Sequence, residues 1–360
     1  MDYGPQYGED WVTQCVLSGH PDPTSRLRER AVAAGGVEGR TVTATLTVEM
    51  GKAHRGYRHE AVIYRGDKGF LAAMVPFIRD GIDLRQPVMV AVIAPRIRAL
   101  RDALGRDAGR VHFVDMAELG SNPARIIPAW RAFIEQHSRH GEPIRGVGEP
   151  VWAGRRPPEI EECQLHEALL NLAIAPDTPL WLICPYDADA LDAEVIAEAH
   201  RSHPAIVGPN SYRGSTTYGG AYHVGAMFGR DLPAPVGPVR NLAVTGGDGH
   251  QVADWVRRWA EGSGLSAQRS GRLAAAVRAI AQASVGLPGR TEVLQMWQDG
   301  SALLCQLHDS GRVQDPLIGR RPPGQDNSRG RALRLANELC DLVQVRSGAG
   351  GTTIRVHSWL

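Results

Sequence analysis

The chain has 360 residues, which is enough for two domains with full hydrophobic cores. Its formal charge of +1 at pH 7 supplies no electrostatic field for nucleic acid or for an anionic membrane surface, so we expect neither as a partner. Arg greatly outnumbers Lys, and Ala and Gly are abundant, which is typical of GC-rich bacterial genomes, including those of actinobacteria.

The sequence lacks signals for export, membrane insertion or disulfide formation. No apolar run approaches the ~20 residues of a spanning helix, and the opening "MDYGPQYGEDWVTQC" lacks the basic-then-apolar pattern of a signal peptide. The cysteines are scattered and form no Cys-x-x-Cys pair, so we expect reduced core thiols in the cytoplasm and no structural zinc site. They are Cys15, Cys163, Cys184, Cys305 and Cys340.

Composition and periodicity divide the chain into four segments. Residues 1–54 are rich in Gly, Pro and charge and are predicted to be a flexible extension, although "VTATLTVEM" is strand-like. Residues 55–206 form a first domain, residues 207–240 a Gly/Pro-rich linker, and residues 241–360 a second domain.

The first domain alternates short apolar runs with helix-period segments. The runs are "HEAVIY", "PVMVAVIA", "VHFVDM", "IRGVGEP" and "PLWLICPYD". Near-continuous apolar strands separated by helices are typical of a parallel sheet covered on both faces. This pattern predicts an α/β doubly wound parallel sheet of about five strands.

The second domain follows a different pattern. Two helical segments, "GHQVADWVRRWAEGSGL" and "AQRSGRLAAAVRAIAQASVG", precede two strand-like runs joined by a tight turn, which predict a hairpin. "RGRALRLANELCDLVQVRSG" then predicts a helix that runs into a strand, and "GGTTIRVHSWL" a closing strand. Helices on one face of a largely antiparallel sheet form an α+β two-layer sandwich.

Polar and aromatic side chains lie in or near the strand ends and helices of the first domain. Because ligands bind beyond the carboxyl ends of parallel strands, these side chains predict a small-molecule or metal pocket. They are His59, Asp115, Glu149, Trp152, His166, Glu167, Tyr186 and Asp187. The alternative is that the carboxylates are ordinary helix caps and turn formers. There is no G-x-x-x-x-G-K-[ST] motif to bind a triphosphate.

Both domains resemble known families. "HDSGRVQDPLIGRR" and "SRGRALRLANELCDLVQVRSGAGGTTIRVH" resemble the C-terminal half of the GHKL ATPase fold, as found in anti-sigma factor serine kinases of the RsbW type. "YRHEAVIYRGDKGFLAAMVPFIRDGI", "GVGEPVWAGR" and "ECQLHEALLNLAI" resemble the MEDS (DcmR-like) sensory domain. Together they resemble the anti-sigma factor RsbA-like regulators.

The resemblance implies partners and a signal. The partners would be a sigma factor, an anti-anti-sigma (STAS) protein, or both, and the signal would be an unidentified small molecule sensed by the first domain. It leaves a homodimer open.

The resemblance also implies nucleotide-binding positions. The matching residues are Asp309 and Gly311 of the adenine box, Ser328, Arg329 and Gly330 of the second glycine box, and Thr352 and Thr353 on the last strand. Asp309 would accept from the adenine amine, and the backbone near the start of the following helix would meet the phosphates. Residues 314–328 would form the ATP lid.

The metal box departs from the family pattern. Family members carry Glu and Asn four residues apart on one helix face, and Ala279 and Ala283 occupy those positions here. Alanine offers no oxygen ligand to Mg²⁺, and phosphoryl transfer depends on that ion, so we expect no turnover and no catalytic residues here. Two alternatives stay open: ATP or ADP binds without turnover, or "HDSGR" is a structural turn that binds no nucleotide.

Three functions follow. We favour a regulatory pseudokinase that binds a sigma factor or an anti-anti-sigma factor. The first alternative is an active serine/threonine protein kinase that phosphorylates an anti-anti-sigma factor. The second is small-molecule binding or catalysis in the first domain, with Glu149, His166 and Asp187 as acid/base groups.

Overall fold

The computed structural model describes residues 56–209, 211–245, 249–284, 292–321 and 327–360. The extension predicted for residues 1–54, with Cys15, lies outside these ranges, as do residues 322–326 of the expected ATP lid. The described residues form two sheets, one of seven strands and one of five.

The first sheet is parallel apart from its last strand, and its strand order is β3-β2-β4-β5-β1-β6-β7. Its strands are β1 (Arg58–Tyr64), β2 (Val88–Val92), β3 (Val111–Asp115), β4 (Ile144–Gly148), β5 (Leu180–Asp187), β6 (Ala205–Gly208) and β7 (Ser211–Gly214). The five predicted strands are β1 to β5. Strands β2, β4 and β5 are buried along their whole length, which explains the apolar residues of β2 and of most of β5.

Helices cover both faces of this sheet, as the predicted doubly wound class requires. They are α1 (Gly66–Asp83), α2 (Ala94–Leu104), α3 (Met116–Leu119), α4 (Ile126–His137), α5 (Pro157–Ala173), α6 (Ala193–Ser202) and α7 (Gly220–Phe228). Helices α1 and α2 pack into one apolar core, and α4, α5 and α6 pack into another on the opposite face. The predicted fold class is confirmed, with two strands more than expected.

Regular structure continues into the segment predicted as a linker. Strand β6 pairs with β1, β7 returns antiparallel to β6, and α7 follows within residues 207–240. These strands have four residues each, and their partners are distant in the chain, so the local sequence carries only a weak signal for them.

The second unit is the predicted two-layer sandwich. Its sheet has the order β11-β12-β10-β9-β8 and is antiparallel throughout. Its strands are β8 (Arg240–Val244), β9 (Glu292–Asp299), β10 (Ala302–Asp309), β11 (Leu342–Gly348) and β12 (Gly351–Trp359). Helices α8 (Gly249–Gly262), α9 (Ala267–Ser284) and α10 (Ser328–Leu339) pack on one face. Edge strand β8 was not predicted, because only Val244 of its five residues is buried.

The other face of the second sheet lies against the first domain. The Arg156 guanidinium stacks 4.4 Å from the centroid of the Trp359 ring, and Arg355 Nη2 donates to Pro233 O at 2.6 Å. No helix in the described ranges combines the length and the apolarity that spanning a bilayer requires.

The packing of β4 against α4 yields a stability prediction. A Cβ atom at Gly146 would lie 2.7 Å from the ring of Trp130, which is 1% exposed. We expect Gly146→Ala to lower the free energy of unfolding by about 1–3 kcal/mol through overpacking. Gly225→Ala on α7 is the control, because a Cβ there meets no atom within 4 Å and should stabilise the helix by about 0.5–1 kcal/mol. Urea unfolding followed by circular dichroism measures both. Equal effects at the two positions would contradict the close packing described here.

Candidate functional site

A cavity of about 540 Å³ lies in the second unit between the end of α9, the segment after β10 and the start of α10. It is lined by Ala283, Arg312, Val313, Gln314, Asp315, Ile318, Arg321, Asn327, Ser328 and Arg329. The lining includes residues from the metal box, the second glycine box and the lid predicted from the sequence.

Asp309 ends β10 next to this cavity and is 1% exposed. Its Oδ1 accepts from the backbone N of Gly311 at 2.6 Å, and its Oδ2 forms an ion pair with Arg329. The carboxylate predicted to accept from adenine is therefore bonded to a cation of its own chain. An adenine amine can reach Oδ2 only if the Arg329 side chain moves away.

The two predicted threonines lie on opposite faces of β12. Thr352 pairs across the sheet with Asp309 and is fully buried. Its hydroxyl donates to Gly311 O at 2.7 Å and accepts from Val313 N at 3.2 Å, which fixes the turn after β10. Thr353 contacts the exposed His308 ring at 3.1 Å. Of the two, Thr352 is the one beside Asp309.

The second glycine box forms the start of α10. Ser328 and Arg329 line the cavity, while the backbone N of Gly330 donates to the Asn327 side chain at 2.9 Å. That amide, predicted to lie near phosphate, is used by the helix cap.

The metal box offers no ligand to Mg²⁺. Ala283 lines the cavity with a methyl group, and Ala279 lies one turn earlier on α9. Gln282, the nearest polar side chain, packs against Gly249 of α8. These residues do not fit a metal-bound triphosphate, whereas Asp309, Gly311 and Thr352 lie together where β10 ends and β12 begins.

The carboxyl edge of the first sheet is closed by ion pairs. Arg96 pairs with both Glu149 and Asp187, and Tyr64 donates to Glu149 Oε1 at 3.5 Å. Burial raises the pKa of Tyr64, so its hydroxyl stays protonated. Asp187 Oδ1 accepts from the backbone N of Gly66 at 3.1 Å, at the turn where a phosphate loop would lie.

Two of the predicted rim residues have local structural roles. Asp115 caps α3 by accepting from Ala117 N at 2.9 Å. Trp152 lies 3.9 Å below the Arg155 guanidinium, measured to its ring centroid. Among the described residues, neither side chain forms a hydrogen bond or ion pair with Arg96, Glu149 or Asp187.

His59 and Glu167 meet away from the rim, in a buried cluster beneath α5. His59 Nε2 lies 2.9 Å from Glu167 Oε2, Cys184 Sγ lies 3.4 Å from both atoms, and His203 Nε2 lies 3.3 Å from Oε2. Burial and the adjacent His203 lower the pKa of His59.

Tyr186 and His166 lie nearby. Tyr186 packs edge-on to His203, with ring centroids 5.7 Å apart. His166 is buried, its Nδ1 has no hydrogen-bond partner among the described residues, and burial lowers its pKa to about 3. In the described part of the chain, no hydrogen bond or ion pair joins His166 to Glu149 or Asp187, so the three proposed acid/base groups do not converge.

The two units share a buried ion pair. Glu162 of α5 is 1% exposed, and its two oxygens bind Arg346 of β11 at 2.6 Å and Arg320 at 3.1 Å. A second contact involves Arg125, whose Nε donates to Asn337 O at 2.8 Å near the end of α10.

Sequence reasoning missed Cys184, His203 and Glu162. Cys184 occupies an apolar run and is typical of a core thiol, and His203 lies in a helix-to-strand turn. The pairing of β1 with both β5 and β6 brings His59, Cys184 and His203 together, and that pairing was the missing information. Glu162 lies among the polar residues of an amphipathic helix, where a solvated position is the usual interpretation.

Comparison with known proteins identifies both units. Residues 58–204 match the family model described as MEDS, the methanogen/methylotroph DcmR sensory domain, and residues 247–357 match the model of the histidine kinase-like ATPase domain. No curated protein matches the chain.

Among solved structures, the chain is similar to the RsbU and RsbW domains of Rv1364c from Mycobacterium tuberculosis, with 17% identity and a TM-score of 0.27. That match covers 34% of this chain and 33% of the other, so it spans about a third of that structure's chain. The two family matches show that this protein consists of a MEDS sensory domain joined to a histidine kinase-like ATPase domain.

Proposed function

We propose that this protein is a signalling regulator of the partner-switching type. Its MEDS domain senses a signal and sets the conformation of the ATPase domain, which in turn binds a sigma factor or an anti-anti-sigma (STAS) protein. The observation that carries the proposal is the buried contact of Glu162 with Arg320 and Arg346, because it joins the sensory helix α5 to both sides of the nucleotide-type cavity.

The contact has a direct structural path to the cavity. Arg320 precedes Arg321, which lines the cavity, and Arg346 precedes Ser347, whose hydroxyl accepts from Val313 N at 2.9 Å. A displacement of α5 would therefore move two wall segments of the cavity together. Such a shared element is the physical requirement for coupling between two sites.

The output in this proposal is binding rather than phosphoryl transfer. Transfer depends on a metal ion that neutralises phosphate charge, and the methyl groups of Ala279 and Ala283 offer it no oxygen. ADP or ATP binding at Asp309 then acts as a second input to the same wall segments. An active kinase would need oxygen ligands for Mg²⁺ at positions 279 and 283, and the two alanines there supply none.

The interdomain contact supplies the main test. Replacing Glu162 by Gln leaves two buried guanidinium groups without a carboxylate, and breaking a buried pair in this way costs about 3–5 kcal/mol. We expect hydrogen exchange to increase in residues 312–321 and 342–348, and the affinity for a STAS or sigma-factor partner from the source genome to change by about fivefold or more. Hydrogen exchange by mass spectrometry and calorimetric titration measure these effects in the full chain.

Glu194→Gln is the control, since this exposed residue of α6 removes the same charge from a helix of the same domain. The proposed coupling would be contradicted if Glu162→Gln increased hydrogen exchange but left the affinity for the partner unchanged. If no sigma-factor or STAS protein of the genome binds the unmodified chain, the proposed output is wrong.

Nucleotide affinity tests the role of Arg329. We expect Arg329→Gln to strengthen ADP binding by about tenfold or more, because Asp309 is released from a charge-assisted hydrogen bond. Arg312→Gln removes the same charge from the same cavity without freeing Asp309, and should leave affinity unchanged or lower it. Titration calorimetry compares the two. Equal weakening in both variants would show that Arg329 contacts the nucleotide instead of competing with it.

Restoring Glu and Asn at positions 279 and 283 tests whether the metal box has lost its function. We expect the natural chain to transfer no labelled phosphate to a STAS protein, and the Ala279→Glu, Ala283→Asn double variant to bind ATP more tightly when Mg²⁺ is added. Gln282→Asn is the control, because that side chain packs against α8. Mg²⁺-dependent phosphorylation by the natural chain would overturn the interpretation as a pseudokinase.

A further inference from the structure

The buried cluster of the MEDS domain has the composition of a metal site. Its members, His59, Glu167, Cys184 and His203, come from β1, α5, β5 and the residue after α6. All four are buried, and their ligand atoms lie within 4.8 Å of one another. Two polar atoms of the cluster, His203 Nε2 and Glu167 Oε1, have no hydrogen-bond partner among the described residues.

The hydrogen bonds around His59 fix its tautomer. The Asn171 side-chain nitrogen donates to the backbone oxygen of Ser202 at 2.8 Å, so the amide oxygen of Asn171 is the atom that faces His59. That oxygen lies 3.1 Å from His59 Nδ1, which must therefore carry the hydrogen. In a neutral ring, Nε2 then presents a lone pair to the centre of the cluster.

His203 is oriented in the same way. Its Nδ1 lies 2.9 Å from the backbone oxygen of Ala199, an acceptor, so Nδ1 is again the donor. Its Nε2 also presents a lone pair to Glu167. An outer hydrogen bond from Nδ1 to an amide or carbonyl oxygen is the arrangement found around metal-ligating histidines.

The inner atoms are therefore acceptors that face one another. The Nε2 atoms of His59 and His203 lie 2.9 and 3.3 Å from the same oxygen of Glu167. The Cys184 thiol has one hydrogen, which it can donate to only one neighbour at a time. A bound cation at the centre would accept the lone pairs of the two neutral imidazoles and of the carboxylate oxygen, and would so remove the repulsion among them.

We propose that His59, Glu167, Cys184 and His203 bind one divalent transition-metal ion, with Zn²⁺ the best match. Zinc takes nitrogen, sulfur and carboxylate oxygen together, at about 2.0–2.3 Å and in tetrahedral geometry, which places neighbouring ligand atoms roughly 3.3–3.5 Å apart. Four of the interatomic distances here are 2.9–3.4 Å. Mg²⁺ and Ca²⁺ are poor fits, because they require oxygen ligands.

This site departs from our sequence interpretation, which took Cys184 for a core thiol and expected no structural zinc site. Its four protein ligands leave no open position, which is typical of structural rather than catalytic zinc. An ion there would tie α5 to two strands of the sheet and to the end of α6.

The test uses the full chain, purified without added metal and shown to be folded by circular dichroism. We expect elemental analysis to find about one transition-metal ion per chain. After removal with a chelator and addition of Co²⁺, we expect d–d bands of tetrahedral intensity and a thiolate-to-cobalt charge-transfer band. The proposal is overturned if the folded chain contains no metal and takes up neither Zn²⁺ nor Co²⁺.

Variants locate the ion. Cys184→Ser should remove the charge-transfer band, whereas Cys163→Ser should keep it, because Cys163 is buried on α5 and bonds to Pro150 O outside the cluster. Asn171→Ala, which keeps all four ligands but removes the partner of His59 Nδ1 and the bond to Ser202 O, should weaken Zn²⁺ affinity by about 10- to 100-fold. A band that persists in Cys184→Ser would place the ion elsewhere and overturn the assignment. Because the spectrum of the unmodified chain already reports a thiolate ligand, the test stands even if one variant fails to fold.

Discussion

The placement of the two domains depends on one buried carboxylate. Glu162 is 1% exposed and carries one negative charge, yet it faces two guanidinium groups from the other domain. Charges in a buried interface are tolerated only when each has a partner in good geometry, so removing any one of the three would leave a buried charge unpaired. Burial lowers the pKa of Arg320, and the charge of Glu162 opposes that shift.

Helix α5 connects this contact to the interior of the MEDS domain. Glu162 and Glu167 are five residues apart, which is about 7.5 Å along the helix axis and about 140° around it. The first therefore faces the ATPase domain and the second faces the sheet, where it meets His59 and His203. A change that shifts α5 at the buried cluster would also displace Glu162 relative to Arg320 and Arg346. The helix thus links the interior of the sensory domain to the walls of the nucleotide-type cavity.

The elements of both domains were predictable because their signals are local. The apolar runs of β2, β4 and β5 and the turn between β9 and β10 are written in consecutive residues. The cluster was not predictable in full, because His59 and His203 meet only through the order of strands in the sheet. Asp309 and Gly311 were found through resemblance to a family, while their present partner, Arg329, was expected to bind nucleotide.

The two ends of the nucleotide-type cavity differ from a working kinase in different ways. At the metal end the ligands are absent from the chain, since Ala279 and Ala283 cannot acquire oxygen atoms through any conformational change. At the adenine end the Asp309 carboxylate remains. A buried carboxylate without a counter-charge would be costly, and the Arg329 guanidinium supplies that charge. Arg329 is only partly buried, and its side chain can rotate toward solvent when an adenine amine replaces it. The proposed loss of turnover therefore rests on residue types that no movement can change, whereas the proposed block to binding is conformational. A site of this kind can report whether nucleotide is bound without consuming it, which is what a regulator needs and an enzyme does not.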